Sequence, residues 1–82
     1  MDCDGFKKWL ISKNKYTDAT IKDMVSRLRR ANNILIFENE DIYLFKLNKC
    51  VEFQKVSVTV KSQIRRSVRL YFQYLGETEN TQ

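Results

Sequence analysis

The sequence predicts an all-α domain, for three reasons. Proline is absent from the 82 residues and glycine occurs only at positions 5 and 76, so few residues would interrupt a helix. Apolar residues make up 43% of the chain and charged residues 30%, which is typical of one small globular domain. Apolar residues also recur at intervals of three and four, as on the buried side of a helix. This periodicity predicts four helices.

The first helix is expected to begin after Asp4, which can act as its N-cap. Phe6, Trp9 and Leu10 then form an apolar face at the i, i+3, i+4 spacing. Because a large ring buries much area in a small domain, Trp9 is expected at the centre of the core. The polar segment SKNKY ends the helix.

The second helix is predicted to begin at an N-cap Thr17, with Asp18 in its first turn. Its apolar stripe consists of Ile21, Met24, Val25, Leu28 and Ala31. Its opposite side is polar and basic, with Lys22, Ser26, Arg29 and Arg30, and with Arg27 near the edge. Asn32 and Asn33 are expected at its C-terminus, because asparagine tolerates the left-handed conformation.

Residues 34–37, ILIF, are followed by acids that open a third helix, where the dipole favours negative charge. Periodicity does not distinguish a buried strand from an irregular link at ILIF, but a lone strand would have unpaired edges, so a link is favoured. The third helix is predicted to turn five residues inward and to serve packing: Leu44, Leu47 and Val51, together with Phe45 and Cys50.

The fourth helix spans residues 57–75 and carries the strongest functional signal. Ser57 is its expected N-cap, and its apolar stripe consists of Val60, Ile64, Val68, Tyr71 and Leu75. Lys61, Arg65 and Arg69 recur every four residues beside the stripe, with Arg66 further round, and no acid occurs from residue 55 to 75. Like charges at this spacing repel each other, and a bound polyanion would relieve the repulsion. Gly76 is expected to end the helix and the domain, which leaves residues 77–82 as a flexible polar tail.

The composition excludes several function classes. Without histidine, the chain lacks the usual general base, a Ser–His or Cys–His pair and the common zinc sites, so no catalysis, metal or cofactor is expected. Cys3 and Cys50 are expected to be reduced thiols of a cytoplasmic protein, and no apolar run suggests a membrane span. A net charge of +5 suits a polyanionic partner, although membrane-surface and plain basic proteins share such values.

The order of these segments resembles the N-terminal core-binding domain of tyrosine recombinases, the phage integrases, over residues 4–76. The matching residues are Phe6, Trp9 and Leu10; Tyr16, Thr17, Thr20, Ile21 and Leu28; and Ser57, Ile64, Arg69, Phe72, Tyr74 and Leu75. The resemblance implies a four-helix, SAM-like orthogonal bundle whose second and fourth helices approach the major groove of duplex DNA. Met24 departs from the family, which often has tyrosine there, and the family's catalytic domain is not in this chain.

These observations predict a duplex-DNA-binding module of a phage or mobile-element integrase, or a relative without the catalytic domain. It would be a monomer when free and would have a recombinase or another mobile-element protein as a further partner. The predicted DNA surface consists of Lys22, Ser26, Arg29, Arg30, Ser57, Thr59, Lys61, Ser62, Arg65, Arg66 and Arg69. Tyr71 and Tyr74 are expected in the core rather than as nucleophiles. Two alternatives are a helical module that docks on an acidic protein and a small transcriptional regulator.

Overall fold

A computed structural model describes residues 1–80, except for the side chains of residues 40, 79 and 80, and it confirms the all-α class. Residues 1–80 contain no strand and form five helices: α1 (Cys3–Ser12), α2 (Asp18–Ile34), α3 (Glu40–Lys49), α4 (Val51–Gln54) and α5 (Val58–Asn80). The prediction of four helices is therefore wrong in number. The expected third helix is interrupted at Cys50, whose backbone is extended, and the chain resumes as the single turn α4. The SAM-like arrangement stays a prediction.

The N-caps show where the helices begin. Thr17 caps α2 and Ser57 caps α5, as predicted, by accepting the N–H groups of Thr20 and Val60 at 3.2 and 3.3 Å. The prediction of Asp4 as the first cap is wrong, because α1 begins earlier and Asp2 accepts the Gly5 N–H at 2.9 Å. Asn39 caps α3 by accepting from the Asp41 N–H.

Two predicted helix ends are also wrong. Helix α2 continues past Asn32 and Asn33 to Ile34, and the Asn32 side chain instead accepts the Phe37 N–H at 3.0 Å. This hydrogen bond holds the link of residues 35–39, which is irregular, as expected, and not a strand. Helix α5 passes through Gly76 to Asn80, since a helical glycine costs only about 1 kcal/mol relative to alanine. Residues 77–80 thus belong to the helix, and residues 81 and 82 of the predicted tail lie outside the described residues.

The core lies between α2 and α5, which form the most extensive helix contact, and α1 packs against α2. All five predicted residues of the α2 stripe are buried, as are Ile64, Val68 and Tyr71 of α5. The prediction of Trp9 as the central residue is wrong, because Trp9 is only half-buried. Phe6, one turn before Leu10, is fully buried instead, with its ring centroid 6.0 Å from that of Trp9 and 5.6 Å from that of Tyr71.

Helix α3 faces the core differently from the prediction. Leu47 is buried and Leu44 and Cys50 are half-buried, as expected, but Val51 and Phe45 are 64% and 62% exposed. The break at Cys50 places Val51 in α4, where Phe53 is the buried residue. Tyr43 was not predicted and is buried, with its hydroxyl donating to the Leu35 carbonyl at 2.7 Å.

Three further contacts hold the N-terminal segment and α1 against α5. The Tyr74 hydroxyl donates to the Asp2 carboxylate at 2.7 Å, and the Asp2 N–H donates to the Tyr71 hydroxyl at 2.9 Å. Lys13 forms an ion pair with Glu77 at 2.9 Å, one residue beyond Gly76. The ion pair thus connects α1 to the part of α5 that follows the glycine. Within residues 1–80, no helix combines the length and the apolar character needed to cross a membrane.

Candidate nucleic-acid interface

The outer side of α5 carries basic residues without acids. Ser62, Arg66 and Arg69 are exposed and lie about 140–200° around the helix from the buried Ile64. From residue 53 to residue 76 the sequence contains no Asp or Glu. The cations of α5, which lie between residues 61 and 69, therefore belong to a stretch of helix that has no acid of its own over about five turns.

Lys61 and Arg65 are half-buried beside this outer side, and Arg65 contacts α3 and α4. The Arg65 Nε donates to the Asn48 side-chain oxygen at 2.9 Å, and its guanidinium carbon lies 5.4 Å from the centroid of the Phe53 ring. A guanidinium has five N–H donors in a fixed plane, so the Asn48 bond orients Arg65 and uses one of them.

The N-terminus of α5 adds to the positive side of the helix. No acid occurs in its first turn, so the positive end of the helix dipole is not neutralised by its own residues. Ser57 and Thr59 are exposed there. The Ser57 oxygen already accepts the Val60 N–H, but its hydroxyl proton remains available to donate to an anion.

The predicted residues of α2 lie in another environment. Three of them line a shallow groove of about 300 Å³ between α1 and α2, formed by Cys3, Asp4, Lys7, Lys22, Val25, Ser26 and Arg29. Lys7 and Lys22 also border a neighbouring groove that contains Asp18. Carboxylates are thus mixed with cations on this side of the molecule. Arg30 is exposed further round α2.

The eleven predicted residues therefore form two groups. Because α2 and α5 pack together through their apolar stripes, the outer sides of the two helices point away from each other. The α5 group contains Ser57, Thr59, Lys61, Ser62, Arg65, Arg66 and Arg69, and the α2 group contains Lys22, Ser26, Arg29 and Arg30. Sequence periodicity identified both outer sides but could not show that they face different directions.

The balance of charges favours the α5 group over the α2 group as a binding surface for an anion. Among the described side chains, the Lys13–Glu77 contact is the one ion pair, so the cations of α5 have no carboxylate partner there. An exposed ion pair contributes little to stability, and unpaired arginines remain free to bind an external anion. Asn48 and Lys7 were missed from the sequence, because their roles depend on contacts between helices.

Tyr71 and Tyr74 face α1 and not the basic side of α5. Tyr71 is buried, and burial raises the pKa of its hydroxyl. The hydrogen bond to Asp2 raises the pKa of Tyr74, and it lowers that of Asp2. Both phenols are therefore held in the protonated form at neutral pH. Among the described residues, no cluster of His, Cys, Asp or Glu could hold a metal ion.

No protein-family model, curated protein or solved structure matches this chain. The resemblance to recombinase core-binding domains thus rests on the sequence pattern alone.

Proposed function

We propose that this domain binds duplex DNA through the outer side of α5. The observation that carries the proposal is a stretch of α5 with basic residues and no acids, on which Arg66 and Arg69 are exposed and form no ion pair with any described side chain. A face that needed only to be soluble would mix charges, since opposite charges four residues apart stabilise a helix. In α5 no acid offsets the repulsion between Lys61, Arg65 and Arg69, and bound phosphate groups would relieve it.

The dimensions of the helix suit a groove of duplex DNA. An α-helix with its side chains is about 10–12 Å across, and the major groove of B-DNA is about 12 Å wide. The serine and threonine hydroxyls near the start of α5 would contact phosphates, as would the flanking Lys61 and Arg65. Arg66 and Arg69, on the outermost side, would lie closest to the base edges.

The resemblance to recombinase core-binding domains supports duplex DNA over single strands. It also supports a role within or beside the recombination of a mobile element, in the cytoplasm, with Cys3 and Cys50 as free thiols. The α2 group faces another direction and is mixed with acids. We therefore assign it a secondary contribution.

The proposal is tested by titrating the domain with duplex DNA, duplex RNA and heparin over a range of salt concentrations. Log affinity for DNA should fall by about 0.9 per log unit of salt for each phosphate neutralised. Duplex RNA should bind more weakly, because its major groove is too deep and narrow for a helix. Equal binding to all three would indicate general polyanion attraction and not a DNA-binding site.

The interface is located with three variants that change net charge equally. Arg66→Glu with Arg69→Glu should weaken DNA binding the most, and because these two arginines would lie closest to the base edges it should also reduce discrimination between DNA sequences. Lys22→Glu with Arg29→Glu should have a smaller effect. Lys8→Glu with Lys46→Glu, at exposed positions of α1 and α3, is the control. If the α5 variant keeps the affinity of the parent at low salt, α5 is not the DNA surface and docking on an acidic protein becomes the better explanation.

A further inference from the structure

Helix α3 has apolar residues on its outer side as well as on its buried side. Tyr43 and Leu47 face the core, whereas Ile42 and Phe45 on the opposite side are 43% and 62% exposed. Ile36 in the preceding link is 71% exposed and lines the same shallow groove as Ile42. A helix that is apolar on both sides is normally covered on both sides, and such an exposed patch usually marks an interaction surface.

Opposite charges lie at the two ends of this patch. Glu38 borders the groove with Ile36 and Ile42, and at the other end the Lys49 ammonium lies 4.2 Å from the centroid of the Phe45 ring. Neither charge has an ion-pair partner among the described side chains. The patch thus has an acid, Glu38, at one end and a cation, Lys49, at the other, and Lys46 also lines the groove that Glu38 borders.

The spacing of these four residues is symmetrical. Ile42, Phe45 and Lys49 follow one another at steps of three and four along one side of α3, and Glu38, in the irregular link before the helix, borders the groove at the Ile42 end. Ile42 and Phe45 are equally far in sequence from a midpoint between them, and so are Glu38 and Lys49. An antiparallel copy would therefore place its Phe45 against Ile42 and its Lys49 beside Glu38.

We propose that two copies of this chain associate through α3, antiparallel about a twofold axis. A parallel arrangement would place Glu38 beside Glu38 and Lys49 beside Lys49, so charge favours the antiparallel one. An anionic membrane would meet Glu38 and Asp41 at one end of the surface. A single short helix buries less than the roughly 1,200 Å² of a stable interface, so the dimer forms only at high protein concentration. This proposal does not depend on nucleic-acid binding.

Sedimentation velocity from about 10 μM to about 1 mM tests the association, because this range brackets a weak dimer. The parent should change from monomer to dimer, and Phe45→Glu should stay monomeric throughout. Val58→Glu is the control, since Val58 is an exposed apolar residue outside α3. If the parent remains monomeric at about 1 mM, or if both variants dimerise like the parent, the proposal is wrong. In the first case the patch would be assigned to a different partner protein.

The orientation is tested by exchanging charges. Lys49→Glu and Glu38→Lys should each weaken the dimer about tenfold, because each creates two repulsive contacts. The double variant restores both attractive contacts and should dimerise more strongly than either single variant. Carbodiimide treatment of mixed ¹⁴N- and ¹⁵N-labelled protein should link Glu38 of one chain to Lys49 of another. A double variant no stronger than the singles, or the absence of mixed-label links, would overturn the antiparallel arrangement.

Discussion

Replacement of Gly5 by alanine is expected to destabilise the domain, whereas the same change at Gly76 should stabilise it. Both glycines lie inside helices, where alanine is normally favoured by about 1 kcal/mol. Around Gly76 no atom lies within 4 Å of an added Cβ. At Gly5 the added Cβ would collide with the Tyr74 hydroxyl and the Asp2 carboxylate, whose Cγ would be 2.8 Å away.

The cost at Gly5 follows from the contacts that would be displaced. The Tyr74 ring packs against those of Phe6, Trp9 and Tyr71, so its hydroxyl has little freedom to move. Moving the Asp2 carboxylate would remove the N-cap of α1, at about 1 kcal/mol. Its exposed hydrogen bond to Tyr74 would contribute about another 1 kcal/mol. Against the gain in helix propensity, the net effect should be a loss of about 1 kcal/mol, so the two variants should differ by about 2 kcal/mol.

Urea and thermal denaturation followed by circular dichroism measure this difference. In a domain of this size, each 1 kcal/mol corresponds to about 4–8 °C in Tm. In a background carrying Asp2→Ala and Tyr74→Phe, Gly5→Ala should no longer be destabilising, since the displaced atoms are gone. If Gly5→Ala raises Tm as much as Gly76→Ala in the parent, the proposed crowding at Gly5 is refuted.

Two further predictions concern stability. Phe6→Ala should lower the free energy of unfolding by about 3–5 kcal/mol, and Trp9→Ala should lower it by less, because of the two rings only that of Phe6 is fully buried. If urea titration gives the same loss of unfolding free energy for both variants, this assignment is contradicted. Burial raises the pKa of Tyr43 to about 12 from an ordinary value near 10. The contribution of Tyr43 to the free energy of unfolding should therefore be fully present below about pH 10 and be lost as the pH rises toward 12. The reason is that the Tyr43 hydroxyl loses its proton at a lower pH in the unfolded chain than in the folded one. A urea midpoint unchanged across this range would contradict the assignment.

Sequence periodicity was most reliable where one helix has one buried side. All five predicted residues of the α2 stripe and three of the five on α5 are buried, since each helix has a clear contrast between apolar and charged sides; Val60 and Leu75 are half-buried, and the buried Ser67 was not predicted. Thr17 and Ser57 were also identified as caps, because their hydroxyl oxygens accept hydrogen bonds from N–H groups three residues further along the chain. In all these cases the determining interactions are local or repeat along one helix.

Predictions failed where contacts between distant segments decide the outcome. Trp9 and Phe6 are equally plausible core residues in sequence, and only the packing of α1 against Tyr71 and Tyr74 buries Phe6. In α3, apolar residues occur on both sides, so periodicity could not distinguish Tyr43 from Phe45 as the buried ring. For the candidate interface, the sequence showed which residues of α2 and α5 carry the positive charges. Their division between two sides of the molecule depends on how α2 packs on α5.

The anchoring of Arg65 has a consequence for the entropy of binding. A free arginine side chain loses about 2 kcal/mol of rotational entropy when it is immobilised, which offsets part of any contact it gains. Arg65 has already lost much of this freedom through Asn48 and Phe53, whereas Arg66 and Arg69 are exposed. Three arginines of equal charge are therefore unequal as ligands for phosphate. Arg65 would bind as a preorganised group with a fixed orientation, and the other two would adjust to whatever lies opposite them.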